Sequence, residues 1–203
     1  MSEIDALLSR YVQKYIVEDL GPDMMKKIKH RLHEKGFTVS ESIKMFYPFD
    51  ETLREFFGNG TDGMLQTIFS HIYELKRTKN TIVIKDPEFS NLILETYGNK
   101  EKKSILQTLN NSYMSISEIL DKAKIPQSSG YKTINSLIED GFLSPTNTKI
   151  KNPGGNLAST YGLTISFIDI KIHNSSLEIT LKFNEENIKK SRILALSFSK
   201  KKC

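Results

Sequence analysis

The sequence predicts a mainly α-helical chain with a small β wing: an N-terminal all-α domain, a helix-turn-helix domain carrying the wing, and then a β-hairpin. Three observations carry that expectation. Apolar residues recur at helical spacing through the first third of the chain, between glycine and proline breaks. Between Met114 and Leu143, two short helical patterns flank a turn at Pro126 and stop at Gly141. A lysine-bearing, glycine-rich turn and runs of period-two alternation follow, and these read as strands.

Residues 2–20 place Ile4, Leu7, Leu8, Tyr11, Val12, Tyr15 and Ile16 on one side of a helix, and Gly21-Pro22 breaks it. A basic helix runs from Asp23 to about Lys35 and ends at Gly36. Ser40 to about Phe46 forms a third helix, closed by Pro48. Asp50 to Phe57 and Thr61 to about Leu75 form two more. Lys76 to Lys85 is a basic connection containing the β-prone Thr81-Ile82-Val83-Ile84, and Pro87 to about Tyr97 is a lead-in helix. The expected division is therefore 1–78 for an all-α domain serving dimerisation, signal input (an unidentified effector) or contact with a protein partner, 79–99 for the connection and lead-in helix, 100–165 for the helix-turn-helix with its wing, and 166–203 for a β-hairpin and basic C-terminal tail.

Within the turn region, Ile116, Ile119, Leu120 and Ala123 form one buried stripe, and Ile134, Leu137 and Ile138 form the other. Ser115 or Ser117 is placed to cap the first helix, and Ser128 or Ser129 the second. Pro126 disfavours helix at Ile125, and Gly141 suits the left-handed position after the last turn. Gln127, Ser128, Ser129, Tyr131, Lys132 and Asn135 are left on the outer face. These groups suit DNA: lysine neutralises phosphate, hydroxyls donate to phosphate oxygens, and glutamine or asparagine pairs with an adenine edge. Next, Lys149-Ile150-Lys151-Asn152-Pro153-Gly154-Gly155-Asn156 forms a basic tip, and Thr160 to Thr164 returns as a strand. A basic hairpin directly after the second helix makes a winged helix, with Lys149 and Lys151 on the DNA backbone or at the minor groove.

Residues from about Asp86 to Phe183 resemble the winged-helix domains of archaeal ArsR-like transcription regulators. The resemblance rests on Asp86-Pro87-Glu88-Phe89, Ser104-Ile105-Leu106-Gln107-Thr108-Leu109, Ile125-Pro126-Gln127-Ser128-Ser129-Gly130-Tyr131-Lys132, Glu139-Asp140-Gly141-Phe142-Leu143 and Tyr161-Gly162-Leu163-Thr164. It implies a recognition helix opened by the serine pair, with Ser128, Ser129, Tyr131 and Lys132 facing DNA. The cysteines that bind metal in the arsenic sensors are absent, so metal sensing is not implied. Tyr15 through Tyr73 is similar to the Nitrosopumilus output domain at Gly21-Pro22 and Phe56-Phe57-Gly58, which implies an archaeal origin.

Composition bounds the rest. The 203 residues are 38% hydrophobic and 26% charged, which fits ordinary globular domains. No apolar run is long enough to span a bilayer, and the acidic start Ser2-Glu3-Ile4-Asp5 does not read as a signal peptide. The single cysteine, Cys203, allows no intrachain disulfide, so a cytoplasmic location is expected. Residues 1–99 carry 13 Lys+Arg against 15 Asp+Glu, whereas residues 100–203 carry 16 against 9; the basic excess lies in the half with the helix-turn-helix. Part of it is the run Lys189-Lys190-Ser191-Arg192 and Lys200-Lys201-Lys202.

Other constellations point elsewhere only weakly. Gly58-Asn59-Gly60-Thr61-Asp62-Gly63 matches a nucleotide-binding glycine pattern, but an acidic aromatic helix precedes it where a strand is required. His30 and His33 lie three apart beside Glu34, among lysines and an arginine that would repel a metal. Met24, Met25, Met45, Phe46, Tyr47, Phe49, Phe56, Phe57 and Met64 read as core, with an apolar effector pocket or dimer face as the alternative. The expectation is a non-enzymatic, homodimeric regulator binding double-stranded DNA without cofactor or metal. The alternative is a winged-helix module that contacts another protein of the transcription machinery.

Overall fold

A computed structural model describes residues 3–76, 80–110, 112–151, 157–174 and 176–199. The chain divides into two units, one made of Met1–Ser90 with Phe167–Cys203 and the other of Asn91–Ser166. No described helix is long and apolar enough to cross a membrane.

The first unit begins with α1 (Glu3–Glu34), in which Gly21 takes φ 81° and ψ 163°. Only glycine adopts that conformation readily, and Pro22 then restarts the helix with its fixed φ. The expected break at Gly21-Pro22 is thus a kink between two helical halves. Ile4, Leu7, Leu8, Tyr11, Val12 and Ile16 are buried on the first half, and Met25, Ile28 and Leu32 on the second. α2 (Val39–Met45) opens with a capping box, in which the Thr38 hydroxyl accepts from the Glu41 amide and Glu41 accepts from the Thr38 amide. Pro48 starts α3 (Tyr47–Phe57) rather than closing α2, as proline's missing N–H allows in a first helical turn. In the 58–63 glycine segment, Gly58–Gly60 is a single 3-10 turn and the rest is the start of α4 (Thr61–Ile72).

This unit is not all-α, which corrects the expectation for 1–78. Helix α4 stops at Ile72, and Tyr73–Leu75 forms β1, antiparallel to β2 (Thr81–Ile84). The expected connection over 79–99 therefore holds a fully buried strand and then α5 (Pro87–Gly98), which runs past Ser90. The segment 166–203 is no appendage. Strand β6 (Ser176–Phe183) pairs with β2, placing Ile82 opposite Leu181, and β5 (Ile165–His173) flanks β6 to give the order β1-β2-β6-β5. The expected basic tail after β6 instead forms α9 (Glu185–Lys190) and α10 (Arg192–Ser199). Ile193 and Leu194 of α10 are fully buried.

Two buried carboxylates tie this unit together. Asp5 accepts from the Ser191 hydroxyl at 2.5 Å and from the Arg192 amide at 3.1 Å, capping α10 from the other end of the chain. Asp86 accepts from the Phe89 amide at 2.7 Å, Lys14 Nζ at 2.9 Å and the Tyr15 hydroxyl at 2.8 Å, so it both caps α5 and holds α1.

The second unit contains α6 (Lys100–Thr108), α7 (Ile116–Ala123) and α8 (Gln127–Glu139), followed by an antiparallel pair of strands, β3 (Leu143–Lys151) and β4 (Leu157–Leu163). Ile105, Leu106, Ile119, Leu120, Ile134, Leu137, Phe142 and Leu143 are among its buried apolar side chains. Met114 adds a bridge to Tyr161 of β4, with both backbone amides donating across, at 3.2 and 2.8 Å. That bridge was not anticipated.

Candidate nucleic-acid interface

The segment from Ser115 to Gly141 is shaped by its caps. The Ser115 hydroxyl accepts from the Glu118 amide, and Glu118 accepts from the Ser115 amide at 2.8 Å, which fixes the start of α7. The helix ends at Lys124 in a left-handed conformation, φ 56° and ψ 41°, and the Ile125 amide donates back to the Leu120 carbonyl at 3.0 Å. Pro126, rather than Ser128 or Ser129, is the N-cap of α8. Its extended backbone supplies the non-helical entry, and the Ser129 hydroxyl donates back to the Pro126 carbonyl at 3.3 Å. No side chain caps this helix start, so its first amides are left for another acceptor.

Gly130 is the residue that lets α7 and α8 approach. A Cβ there would run into Leu120 Cδ2 and lie 3.1 Å from Ile125 Cγ2. Sequence reasoning missed this role, although a glycine inside a helical pattern is itself the signal. At the far end Gly141 adopts φ 78°, and the Phe142 amide returns to the Leu137 carbonyl at 2.9 Å.

With Gly130, Ile134 and Leu137 buried, the opposite side of α8 faces solvent. Gln127, Ser128, Ser129, Tyr131, Lys132 and Asn135 are all exposed, Tyr131 at 42%. Ser128, Tyr131, Lys132 and Asn135 repeat at three- and four-residue spacing and therefore form one stripe. Among the described residues, the side chains of Gln127, Ser128, Tyr131, Lys132 and Asn135 have no hydrogen-bond or ion-pair partner. The flanks of the helix are committed elsewhere: Thr133 donates to Glu101 at 3.1 Å, Ser136 to Asp140 at 3.3 Å, and Lys102 meets Asp140 at 3.5 Å. Exposed Glu139 continues the stripe one turn past Asn135. A carboxylate there repels phosphate, so the surface suited to an anionic partner is the first two and a half turns.

Lys149 lies on β3 opposite Ser159, exposed and without a side-chain partner among the described residues. The backbone of Lys151 pairs with Leu157, but its side chain and the tip 152–156 lie outside the described residues, as do Lys200-Lys201-Lys202 and Cys203. Gly162 of β4 lies against the Tyr113 ring, where a Cβ would come within 2.6 Å. Lys122 and Lys124, at the end of α7, are exposed next to the start of α8 and were missed as candidates. Their signal is two lysines in the last turn before the proline.

The basic excess of the C-terminal half is split between the two units. Unit Asn91–Ser166 holds eight lysines against six carboxylates. More of the C-terminal basic excess falls in 167–203, with eight Lys+Arg against four Asp+Glu, and so belongs to the first unit.

The remaining candidates do not assemble into sites. Among the described residues His30 meets Glu34 at 3.4 Å, and no group of three or more His, Cys, Asp or Glu could hold a metal. Met25, Phe46 and Phe49 are buried, whereas Met45, Tyr47 and Phe56 are exposed, so the aromatic and methionine set is only partly core. Comparison with protein-family models, curated proteins and solved structures gives no match to this chain.

Proposed function

We propose that residues 91–166 form a winged helix-turn-helix that binds double-stranded DNA, and that the chain is a transcription regulator. Helix α8 enters the major groove through Gln127, Ser128, Ser129, Tyr131, Lys132 and Asn135, while Lys149 and Lys151 of the wing contact the backbone. The observation that carries this reading is the α8 stripe. It is polar, exposed and free of side-chain partners among the described residues, and it lies opposite a buried stripe held tightly against α7 at Gly130. The uncapped start of α8 adds amides aimed at a phosphate, and Lys122 and Lys124 add cations beside it. A dimer would offer two such helices to half-sites about one DNA turn apart.

The test is fluorescence anisotropy of mixed-sequence duplex DNA at several salt concentrations. Salt-sensitive binding is expected, and Lys132→Ala should weaken it for every sequence and reduce the slope of log K against log salt by about one. Absence of binding at low salt overturns the proposal. The modest charge of unit 91–166 favours a second reading, a protein-interaction module. In that case the same α8 substitutions would disrupt a protein complex and leave DNA untouched.

A further inference from the structure

The sheet of the first unit has two unlike edges. β1 is three residues long and carries Glu74, paired with Lys85 at 2.9 Å. A short strand with a fixed charge offers little ladder to an incoming chain. β5 runs nine residues without proline, and among the described residues no strand lies on its outer side. Phe167, Ile170 and Ile172 along it are 57%, 41% and 73% exposed. Its charges, Asp169 and Lys171, share one side of the strand and pair with each other at 3.1 Å. Their charges cancel, so this edge lacks the repulsion that usually guards such strands.

We propose that β5 is a homodimer interface, in which two copies pair antiparallel about a two-fold axis through Ile170 and join two four-stranded sheets into one of eight strands. Charge fixes both direction and register. An axis at Ile170 sets Asp169 opposite Lys171 of the partner subunit, and the same pair recurs on the other side of the axis. On the alternate face Ile168 meets Ile172 of the partner subunit, and Ile170 meets its own copy, giving three consecutive β-branched cross-strand pairs. An axis at Asp169 or Lys171 would bring like charges face to face, and so would parallel in-register pairing. A segment complementary to itself under one two-fold is what an isologous interface requires, which is why the occupant is a second copy. This dimer does not depend on the DNA-binding reading.

The test is sedimentation velocity of the full chain without DNA, over a range of protein concentrations. A concentration-dependent dimer is expected. Ile170→Lys should give monomer, because it places two ammonium groups together on the axis. Asp169→Lys and Lys171→Asp should each raise the dimer dissociation constant about tenfold or more, since each creates two like-charge cross-strand contacts. The double reversal should restore dimerisation, because each charge again meets its opposite. These positions are partly or fully exposed, and circular dichroism melting verifies that each variant is folded. A monomer at every concentration, a dimer unaffected by Ile170→Lys, or a double reversal that fails to recover overturns the proposal.

Discussion

Gly130 and Asp5 show how much single positions govern here. Gly130→Ala would gain up to about 1 kcal/mol in helix propensity. It would also force the packed Leu120 side chain to move, and overpacking of that kind costs about 1–3 kcal/mol. A net loss of unfolding free energy is expected in urea titration, with Leu120→Ala combined with Gly130→Ala costing less than the sum of the two. At Asp5, burial raises the carboxyl from its ordinary 3.8 to about 6, even though Ser191 and the Arg192 and Ile193 amides pull the other way. A raised carboxyl favours the folded state while protonated. Its contribution is therefore full below about pH 4 and is lost as pH rises to about 6, a swing of about 3 kcal/mol. Asp5→Asn, which can still accept from the α10 amides, should remove that fall in urea unfolding measured from pH 4 to 7. Asp86 runs the opposite way. Burial raises it, but Lys14, the Phe89 amide and Tyr15 outweigh burial and leave it below the usual carboxylate range. Its contribution is present above about pH 4 and is lost on acidification below that. Under the proposed docking, Gln127→Ala or Asn135→Ala should change preference among duplex sequences in anisotropy competition, because an amide set against a base edge discriminates sequence and a phosphate contact does not.

At the scale of elements, the caps decide what is legible from sequence. Ser115 and Ser117 were both placed to cap α7; the helix takes Ser115, and Glu118 completes a capping box that the sequence reading left out. Ser115→Ala should destabilise this unit by about 1 kcal/mol in urea titration. The outer face of α8 was legible because the Ile134 and Leu137 stripe leaves the opposite side to solvent. Its start was misplaced because serines outrank proline as caps, while here Pro126 supplies the entry geometry through its backbone alone. The strands were harder for a physical reason. Leu65, Ile68, Phe69 and Ile72 make a helical stripe, and Tyr73 extends the run, so nothing local announces the switch to β1. β2 was visible as β-prone residues, but its partner β6 lies about a hundred positions on, beyond the reach of local pattern. The Met114 bridge is a single residue, too short to leave any periodicity.

For the whole molecule, the division into units changes which experiments are sound. Removing residues 100–203 to test for loss of DNA binding would also remove β5 and β6, half of the first unit's sheet. Substitutions on α8 are the cleaner probe. Removing residues 185–203 should damage the first unit by exposing the surfaces that bury Ile193 and Leu194 and by taking the Ser191 hydroxyl and Arg192 amide from Asp5. Thermal unfolding should then show a lowered transition for that unit, with hydrogen exchange in α7 and α8 left near its original level.

The same discontinuity bears on how the protein is made. As the chain leaves the ribosome, helices α1 to α4 emerge with β1 and β2, whose remaining partner strand has not yet been synthesised. Residues 91–166 follow with every contact of their own unit already available, and can fold at once. The first unit must wait, its buried β2 edge open to chance pairing, until β6 and then Ser191 arrive to meet Asp5. Contacts so distant in sequence form slowly, and waiting intermediates of this kind are the ones that recruit chaperones.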